Sequence, residues 1–243
     1  MNIAITKEQS NFIKLIAILT MLIDHMGIIL FPDVIALRII GRIAFPLFAY
    51  QIVVGYLNTR NIKKYILRLL TLGVVCQIPY YYAMNNFDPY NAQNFITGLS
   101  TFFTITNKTL NILFTLSLGL ICIYLIEKKH YIVLTFMLTI LSILSFYEMD
   151  IVDYGIYGVF TIILMYTYVN NFKLLFISFF ILNIVLAFSG IQSLYQIFSI
   201  MAMIFLIKPI NLKFKIPGWF FYLFYPMHLS ILYGIKIWLE ARG

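Results

Sequence analysis

The sequence predicts an all-α polytopic membrane protein, a bundle of about nine transmembrane helices that forms a single domain over residues 1–243. Hydrophobic residues make up 62% of the chain and charged residues only 11%, whereas a typical soluble domain is about half apolar and about a quarter charged. The apolar residues also occur in long runs, many of them close to the roughly 20 residues that cross the hydrocarbon core of a bilayer. No polar segment between these runs is long enough to fold as a second domain.

The first three runs are separated by short polar breaks. Asn11–Leu30 and Ile35–Leu57 flank a break at residues 31–33, and Arg60 precedes the third run, Ile62–Ala83. No small-residue cleavage site follows the first run, which also contains an Asp-His pair. We therefore predict that it is a retained span rather than a signal peptide.

Six further runs follow a long loop at residues 84–108. They are Leu110–Ile126, Tyr131–Tyr147, Tyr154–Val169, Phe172–Phe188, Leu194–Ile207 and Gly218–Leu239. The run Leu194–Ile207 is short, so it either re-enters the membrane or crosses a thinned bilayer. The loop is interpreted either as a plain connector or as a platform for an acceptor substrate, since long loops are often functional.

Basic residues orient the spans through the positive-inside rule. With the N-terminus in the cytoplasm, most of them fall inside, namely Lys7, Lys14, Arg60, Lys63, Lys64, Lys128, Lys129, Lys173, Lys208, Lys213 and Lys215. Only Lys108, Lys236 and Arg242 fall outside, and the acidic loop at residues 148–150 faces outward. We therefore predict a multi-pass protein of the plasma membrane, embedded in the lipid bilayer, with its C-terminus outside.

The net charge of +8 favours anionic lipid surfaces or an anionic ligand as partners. Nucleic acid is not expected as a partner, because the basic residues are scattered at the ends of helices rather than clustered. Cys76 and Cys122 lie in apolar runs and are predicted to be reduced packing residues. No metal is predicted either, since His25, His130 and His228 are the only histidines and no zinc-binding spacing occurs.

Several ionisable groups lie inside the predicted spans. His25 is about 16 Å deeper than Lys14 along the first helix. Arg42 lies about 10 Å in from the outer surface, and His228 roughly 15 Å from the inner one. Straight helices would therefore place His25, Arg42 and His228 in one layer. Because ionisable groups inside a membrane are costly, this layer predicts a functional site.

The acidic and histidine side chains of this layer also have structural interpretations. Asp24 suits a counter-ion of Arg38 or Arg42, because it points about 100° away from His25 and is not expected to orient that ring. His228 follows Tyr225 and a proline that kinks the helix, so its imidazole can instead bond to the backbone.

The basic side chains leave similar alternatives open. Lys14 and Arg68 suit the phosphates of a ligand that enters from the cytoplasm, but both can also extend to the lipid interface. Arg38 either belongs to the site or reaches the outer headgroups. A proton relay in a small-molecule transporter, built on Asp24, His25 and Arg42, is the alternative to an enzyme.

Several sequence blocks resemble the TraX family, which is named for the conjugative pilin acetylase. The blocks are Ile16–Ile18, Met21–Gly27, Arg38–Tyr50, Thr59–Asn61, Tyr65, Arg68, Gln77–Pro79, Asp153–Val159 and Phe224–Leu229. Lys14 and His25 also fit a spacing known from a wider group of membrane acyltransferases, a basic residue, ten others and a histidine on the first helix.

The resemblance implies transfer of an acetyl group from cytoplasmic acetyl-CoA to an acceptor, either a peptide N-terminal amine or an envelope glycan hydroxyl. His25 is then expected to act as general base, with Asp24 beside it, and Arg42 to stabilise the oxyanion. The expected contacts to the acetyl-CoA phosphates are Lys14, Arg68, Lys63 and Lys64, and those on the acceptor side are His228, Tyr225, Arg38 and Tyr157. Direct transfer and an acetyl-His25 intermediate both remain open.

Overall fold

A computed structural model describes residues 5–84, 109–188, 194–207, 209–211 and 217–242. Its α-helices are α1 Lys7–Ile29, α2 Ile35–Gly41, α3 Ala44–Asn58, α4 Ile62–Met84, α5 Ile112–Glu127, α6 Tyr131–Phe146, α7 Gly155–Thr167, α8 Phe172–Phe188, α9 Ala202–Ile207 and α10 Gly218–Glu240. A 3-10 helix, Leu194–Met201, runs directly into α9. Among these residues the only β-type pairing is an isolated bridge between Leu110 and Val152. The predicted all-α class is therefore confirmed.

Three helical stretches of the described chain are long and apolar enough to cross a membrane. They are Lys7–Ile29, Ile35–Asn58 and Ile62–Met84, and the remaining apolar helices include several of 10–17 residues. The predicted runs match the helices to within a few residues at each end, whereas the number of crossings and their orientation stay predictions. Apart from Met84, which ends α4, the predicted acceptor loop at residues 84–108 lies outside the described residues, and so do the predicted inner lysines Lys208, Lys213 and Lys215.

The predicted run Ile35–Leu57 is interrupted by a turn at residues 42–43. The backbone N–H of Arg42 still bonds to the carbonyl of Arg38, but regular helix resumes only at Ala44. Pro46 lacks the N–H that would otherwise bond to the carbonyl of Arg42, so the helix is weakened one turn before the proline. The interruption places Arg42 at a junction between two helices rather than within one.

The main core of the bundle contains buried apolar side chains from α1, α3, α4, α5, α7, α8, α9 and α10. α1 packs against α2, α3 and α10, while α7 packs against α3 and α5. α6 lies at the periphery and exposes large apolar side chains, such as Ile132 and Phe136. An apolar surface of this kind is expected where a protein meets lipid rather than water.

Candidate active site

A cavity of about 170 Å³ lies between α1, α4, α5, α10 and the junction of α2 and α3. Its polar wall consists of Asp24, His25, Arg38, Arg42, Tyr80, Asp153, Tyr154 and Tyr225. Sites for drug-sized ligands reach about 300–1,000 Å³, so this cavity suits a small reacting group rather than a whole coenzyme. His25 and Arg42, which the sequence places in one layer, line this same cavity.

Two buried histidines meet beside the cavity, one from α1 and one from α10. His25 Nδ1 lies 2.6 Å from His228 Nε2. His228 Nδ1 lies in turn 2.8 Å from the backbone carbonyl oxygen of Phe224. His25 belongs to the cavity lining, whereas His228 lies behind it.

The carbonyl of Phe224 determines which ring nitrogen of each histidine carries a proton. A carbonyl only accepts hydrogen bonds, so Nδ1 of His228 donates, and the neutral ring presents a lone pair at Nε2. His25 must then donate from Nδ1 and keep its own lone pair at Nε2. An imidazole held through Nδ1–H with Nε2 available is the arrangement that a general base requires.

Asp24 is held by two arginines from the second helical stretch. Arg42 Nη2 donates to both carboxylate oxygens of Asp24 at 2.9 and 3.1 Å. Arg38 Nη1 lies 2.7 Å from Asp24 Oδ1, at an angle that makes this contact an ion pair rather than a hydrogen bond. Asp24 thus contacts the arginines, while His25 contacts His228, so the carboxylate does not orient the His25 ring.

Gly41 allows α2 to approach Asp24. A Cβ atom at this position would lie 2.1 Å from Asp24 Oδ1 and 2.3 Å from Asp24 Cβ. Real Cβ atoms are not found at such distances, so only glycine lets the two helices come close enough for the ion pairs.

Arg42 is anchored on further sides. Its Nε donates to the Arg38 carbonyl at 3.2 Å, and its Nη1 donates to Gln196 Oε1 at 3.2 Å. Its guanidinium also lies 5.6 Å from the centre of the Tyr154 ring, within the range of a cation–π contact. A guanidinium held in this way is preorganised, which is what the stabilisation of a developing negative charge requires.

Asp153 and Tyr154 belong to the cavity wall although the sequence did not single them out. Tyr154 adopts a left-handed backbone with φ of 63°, and its ring stacks on Phe45 with centroids 4.3 Å apart. Burial raises the pKa of Asp153, in the connection before α7, to about 6, although the charge of Arg42 acts in the opposite direction. Both residues open a block that resembles the TraX family, and that block was the signal that could have identified them.

The basic residues predicted to bind phosphates lie outside the cavity lining. Lys14 Nζ lies 5.3 Å from the ring centre of Phe221, which does line the cavity. The guanidinium of Arg68 lies 5.9 Å from the ring of Tyr222, the next residue of α10. Lys14 and Arg68 therefore approach the same part of α10, next to one end of the cavity.

The other predicted site residues are distributed between the cavity, the interior and the surface. Tyr225 and Arg38 line the cavity, and Arg38 pairs there with Asp24. Tyr157, a predicted acceptor contact, is fully buried outside the lining, and its hydroxyl bonds to Gln196 and Ser199. Lys63 and Lys64 are exposed at the start of α4. No cluster of three or more potential metal ligands occurs in the described ranges.

The family model described as TraX protein matches residues 9–236 of the chain. The chain belongs to the TraX family. This TraX-family protein is 32% identical over 251 aligned residues to "Probable fimbrial assembly protein FimC, serogroup H1" of Dichelobacter nodosus, and the alignment covers 94% of this chain and 96% of that protein. An uncharacterized protein of Rickettsia prowazekii is 38% identical over 77 residues, which cover 30% of the TraX-family chain and 29% of the relative. No solved structure matches significantly.

Proposed function

We propose that this TraX-family protein is a multi-pass acetyltransferase of the plasma membrane, which transfers an acetyl group from cytoplasmic acetyl-CoA to an acceptor amine or hydroxyl. The observation that carries the proposal is a cavity lined by both His25, whose lone pair is at Nε2, and Arg42, whose guanidinium is anchored by Asp24. A positioned base and a preorganised cation are the two groups that acyl transfer to a nucleophile needs.

His25 acts as the general base. Its Nε2 removes the proton from the acceptor N–H or O–H as that atom attacks the thioester carbonyl carbon. The resulting imidazolium keeps its Nδ1–H bond to His228, which helps to hold the charge. When the tetrahedral intermediate collapses, the C–S bond breaks, and His25 returns the proton to the leaving thiolate to give the free thiol.

Arg42 stabilises the negative charge that develops on the carbonyl oxygen. One N–H of Nη1 bonds to Gln196, and the contacts of the described residues leave the second N–H of Nη1 uncommitted. Removal of a single oxyanion donor typically lowers kcat by about 10²- to 10³-fold. Asp24 supports this role indirectly, since it keeps Arg42 paired and in place.

The donor binds with its two ends in different environments. The acetyl thioester occupies the cavity, while the phosphates remain near Lys14, Arg68 and the exposed Lys63 and Lys64. Phe221 connects these regions, because its ring lines the cavity and also contacts Lys14. The Dichelobacter nodosus relative is named as a fimbrial assembly protein, which favours the N-terminus of a secreted peptide over a glycan hydroxyl as acceptor.

The test is release of free thiol by the purified protein supplied with acetyl-CoA and a peptide amine or glycan acceptor. We expect turnover in the wild type and a loss of about 10²- to 10⁴-fold in His25→Ala, the usual contribution of a general base. His130→Ala is the matched control, because His130 is an exposed histidine in the turn before α6. Full turnover in His25→Ala would remove His25 from the chemistry, and no turnover in the wild type with either acceptor class would contradict the proposed activity.

A proton-coupled transporter is the second candidate, and the His25–His228 contact is the observation that favours it. Two buried imidazoles in hydrogen-bond contact could pass a proton. In proteoliposomes, substrate uptake driven by a proton gradient without release of thiol would favour the transporter. Thiol release that is independent of a gradient would favour the transferase.

A further inference from the structure

A chain of hydrogen bonds extends from Arg42 to buried side chains that lie outside the cavity lining. Arg42 Nη1 donates to Gln196 Oε1 at 3.2 Å, and Gln196 Nε2 donates to the hydroxyl of Tyr157 at 3.0 Å. That hydroxyl lies 3.0 Å from Ser199 Oγ, which donates to Asn183 Oδ1 at 2.9 Å. The last four side chains are all buried, so the chain of bonds is shielded from competing solvent.

The two bonds of Gln196 in this chain have defined directions. A guanidinium only donates, so Gln196 must turn its carbonyl oxygen to Arg42 and its NH₂ group to Tyr157. Farther along, the Tyr157 hydroxyl lies 3.0 Å from Ser199 Oγ and 3.4 Å from Asn183 Oδ1, which also accepts from Ser199. Asn183 completes the series by donating to the carbonyl of Phe179 at 2.9 Å. The orientation of Gln196 is thus set from both of its ends.

The 3-10 helix explains how Gln196 and Ser199 act together. With three residues per turn, side chains at positions i and i+3 of a 3-10 helix lie directly above one another. Gln196 and Ser199 have this spacing within Leu194–Met201, and both reach the hydroxyl of Tyr157. In an α-helix the two side chains would lie about 60° apart around the helix axis. The 3-10 helix Leu194–Met201 is unusually long, since 3-10 helices of more than about four residues are uncommon.

We propose that Gln196 is a positioning residue that sets the plane of the Arg42 guanidinium in the acetyl-transfer site. The contacts of Arg42 with Asp24 and with the Arg38 carbonyl hold Nη2 and Nε but not Nη1. Gln196 supplies the anchor at Nη1, and this bond completes the polar contacts that hold the plane. The uncommitted N–H of Nη1 is held toward the substrate oxygen as a result. This inference rests on the proposed acetyltransferase function.

The bond chain also joins α7, α8 and the 3-10 helix, so a purely structural role must be separated from positioning. A structural role predicts that substitutions in the chain lower the amount of folded enzyme but leave kcat per folded molecule unchanged. A positioning role predicts a lower kcat with a nearly unchanged KM, because the oxyanion exists only in the transition state.

The experiment measures thiol release from acetyl-CoA by folded protein in detergent. Gln196→Leu is expected to lower kcat by about 10- to 100-fold while KM for acetyl-CoA changes by less than about twofold. Gln196→Glu keeps an oxygen acceptor for Arg42 and should recover most of the lost activity. Equal kcat in Gln196→Leu and wild type would overturn the inference, whereas an inactive wild type would instead contradict the proposed function.

A matched pair of serines tests the far end of the bond chain. Ser199→Ala removes the hydroxyl that orients Tyr157, and Ser117→Ala removes a buried hydroxyl that bonds to the Leu113 carbonyl within α5. We expect kcat to fall in Ser199→Ala but not in Ser117→Ala. This pair decides the matter if Gln196→Leu does not fold, and an equal kcat in the two serine variants would then overturn the inference.

A double-mutant cycle tests whether Gln196 acts through Arg42. If it does, Gln196→Leu should cause little further loss of kcat in an Arg42→Lys background, because coupled residues are not additive. Fully additive losses would show that Gln196 affects activity by another route and would overturn the assignment.

Discussion

His25 and His228 take distinct roles because a single backbone carbonyl fixes the proton on one ring. The Phe224 carbonyl requires a proton on His228 Nδ1, and this leaves His25 with its lone pair at Nε2. In the proposed reaction, His228 therefore acts through His25 rather than on the substrate, to which the sequence had assigned it. The sequence placed both histidines at mid-depth, but it could not show which of them donates the hydrogen bond between the two rings.

His228→Phe tests whether the hydrogen bond from His25 Nδ1 to His228 supports catalysis. Phenylalanine keeps an aromatic ring beside Phe224 but cannot accept the proton of His25 Nδ1. We expect kcat to fall by roughly 10- to 100-fold with little change in KM, as for other groups that orient a catalytic side chain. Steady-state thiol release measures both constants, and a wild-type kcat would show that His25 does not depend on its partner.

Asp24 offers a second test at this scale, because its removal leaves two arginines without their counter-ion. Asp24→Ala is expected to destabilise the protein by about 3–5 kcal/mol, the usual effect of removing one partner of a buried ion pair. Thermal unfolding in detergent measures the loss, and Asp33→Ala is the control because Asp33 is exposed. Equal unfolding temperatures for the two variants would mean that the Asp24 pairs contribute no stability.

At the scale of elements, the junction between α2 and α3 determines where the cavity forms. Pro46 weakens the helix one turn upstream, and Arg42 lies at the resulting turn with its guanidinium directed to Asp24 and Gln196. The close approach of α1 to α2 depends on Gly41. The sequence predicted a continuous span here, because the hydrophobic pattern continues through the junction.

Gly41→Ala tests the contact between α1 and α2. The added methyl group would overlap Asp24, so we expect a loss of at least about 1–3 kcal/mol, as for other overpacked interiors. Gly234→Ala in α10 is the control, because no atom lies within 4 Å of its added Cβ, and replacing a helical glycine gains up to about 1 kcal/mol. Unfolding temperatures that change equally in the two variants would contradict this account of Gly41.

At the scale of the whole molecule, the orientation in the membrane remains a prediction of the charge pattern. Cys76 and Cys122 are free cysteines, and because both are buried we expect neither to react with a membrane-impermeant maleimide. Single cysteines at the exposed positions Lys128 and Glu148 should then label from opposite sides. We expect Glu148→Cys to react in intact cells and Lys128→Cys only in inverted vesicles, and the reverse pattern would invert the topology.

The predictions from sequence succeeded where they depended on local pattern. The helices and most of their bounds follow from apolar runs and polar breaks, and the TraX family follows from specific sequence blocks. Depth along straight helices was enough to bring His25 and Arg42 to one cavity. The assignment of Tyr157 to the acceptor contacts depended on rotation about its helix, and the structure buries that side chain outside the cavity lining, in contact with Gln196.

The sequence by itself determined the helical class, the membrane character, the family and the ionisable groups that the interior would have to accommodate. Only the tertiary structure decided which side chains these groups contact: His25 contacts His228, Asp24 contacts Arg38 and Arg42, and Arg42 also contacts the amide of Gln196. The physical reason is that hydrophobic periodicity fixes a helix and its length, whereas a contact across 203 or 154 positions depends on the rotation and packing of separate helices. The positions of the protons on the His25 and His228 rings depend on such contacts, and so does the chemistry proposed for this pair.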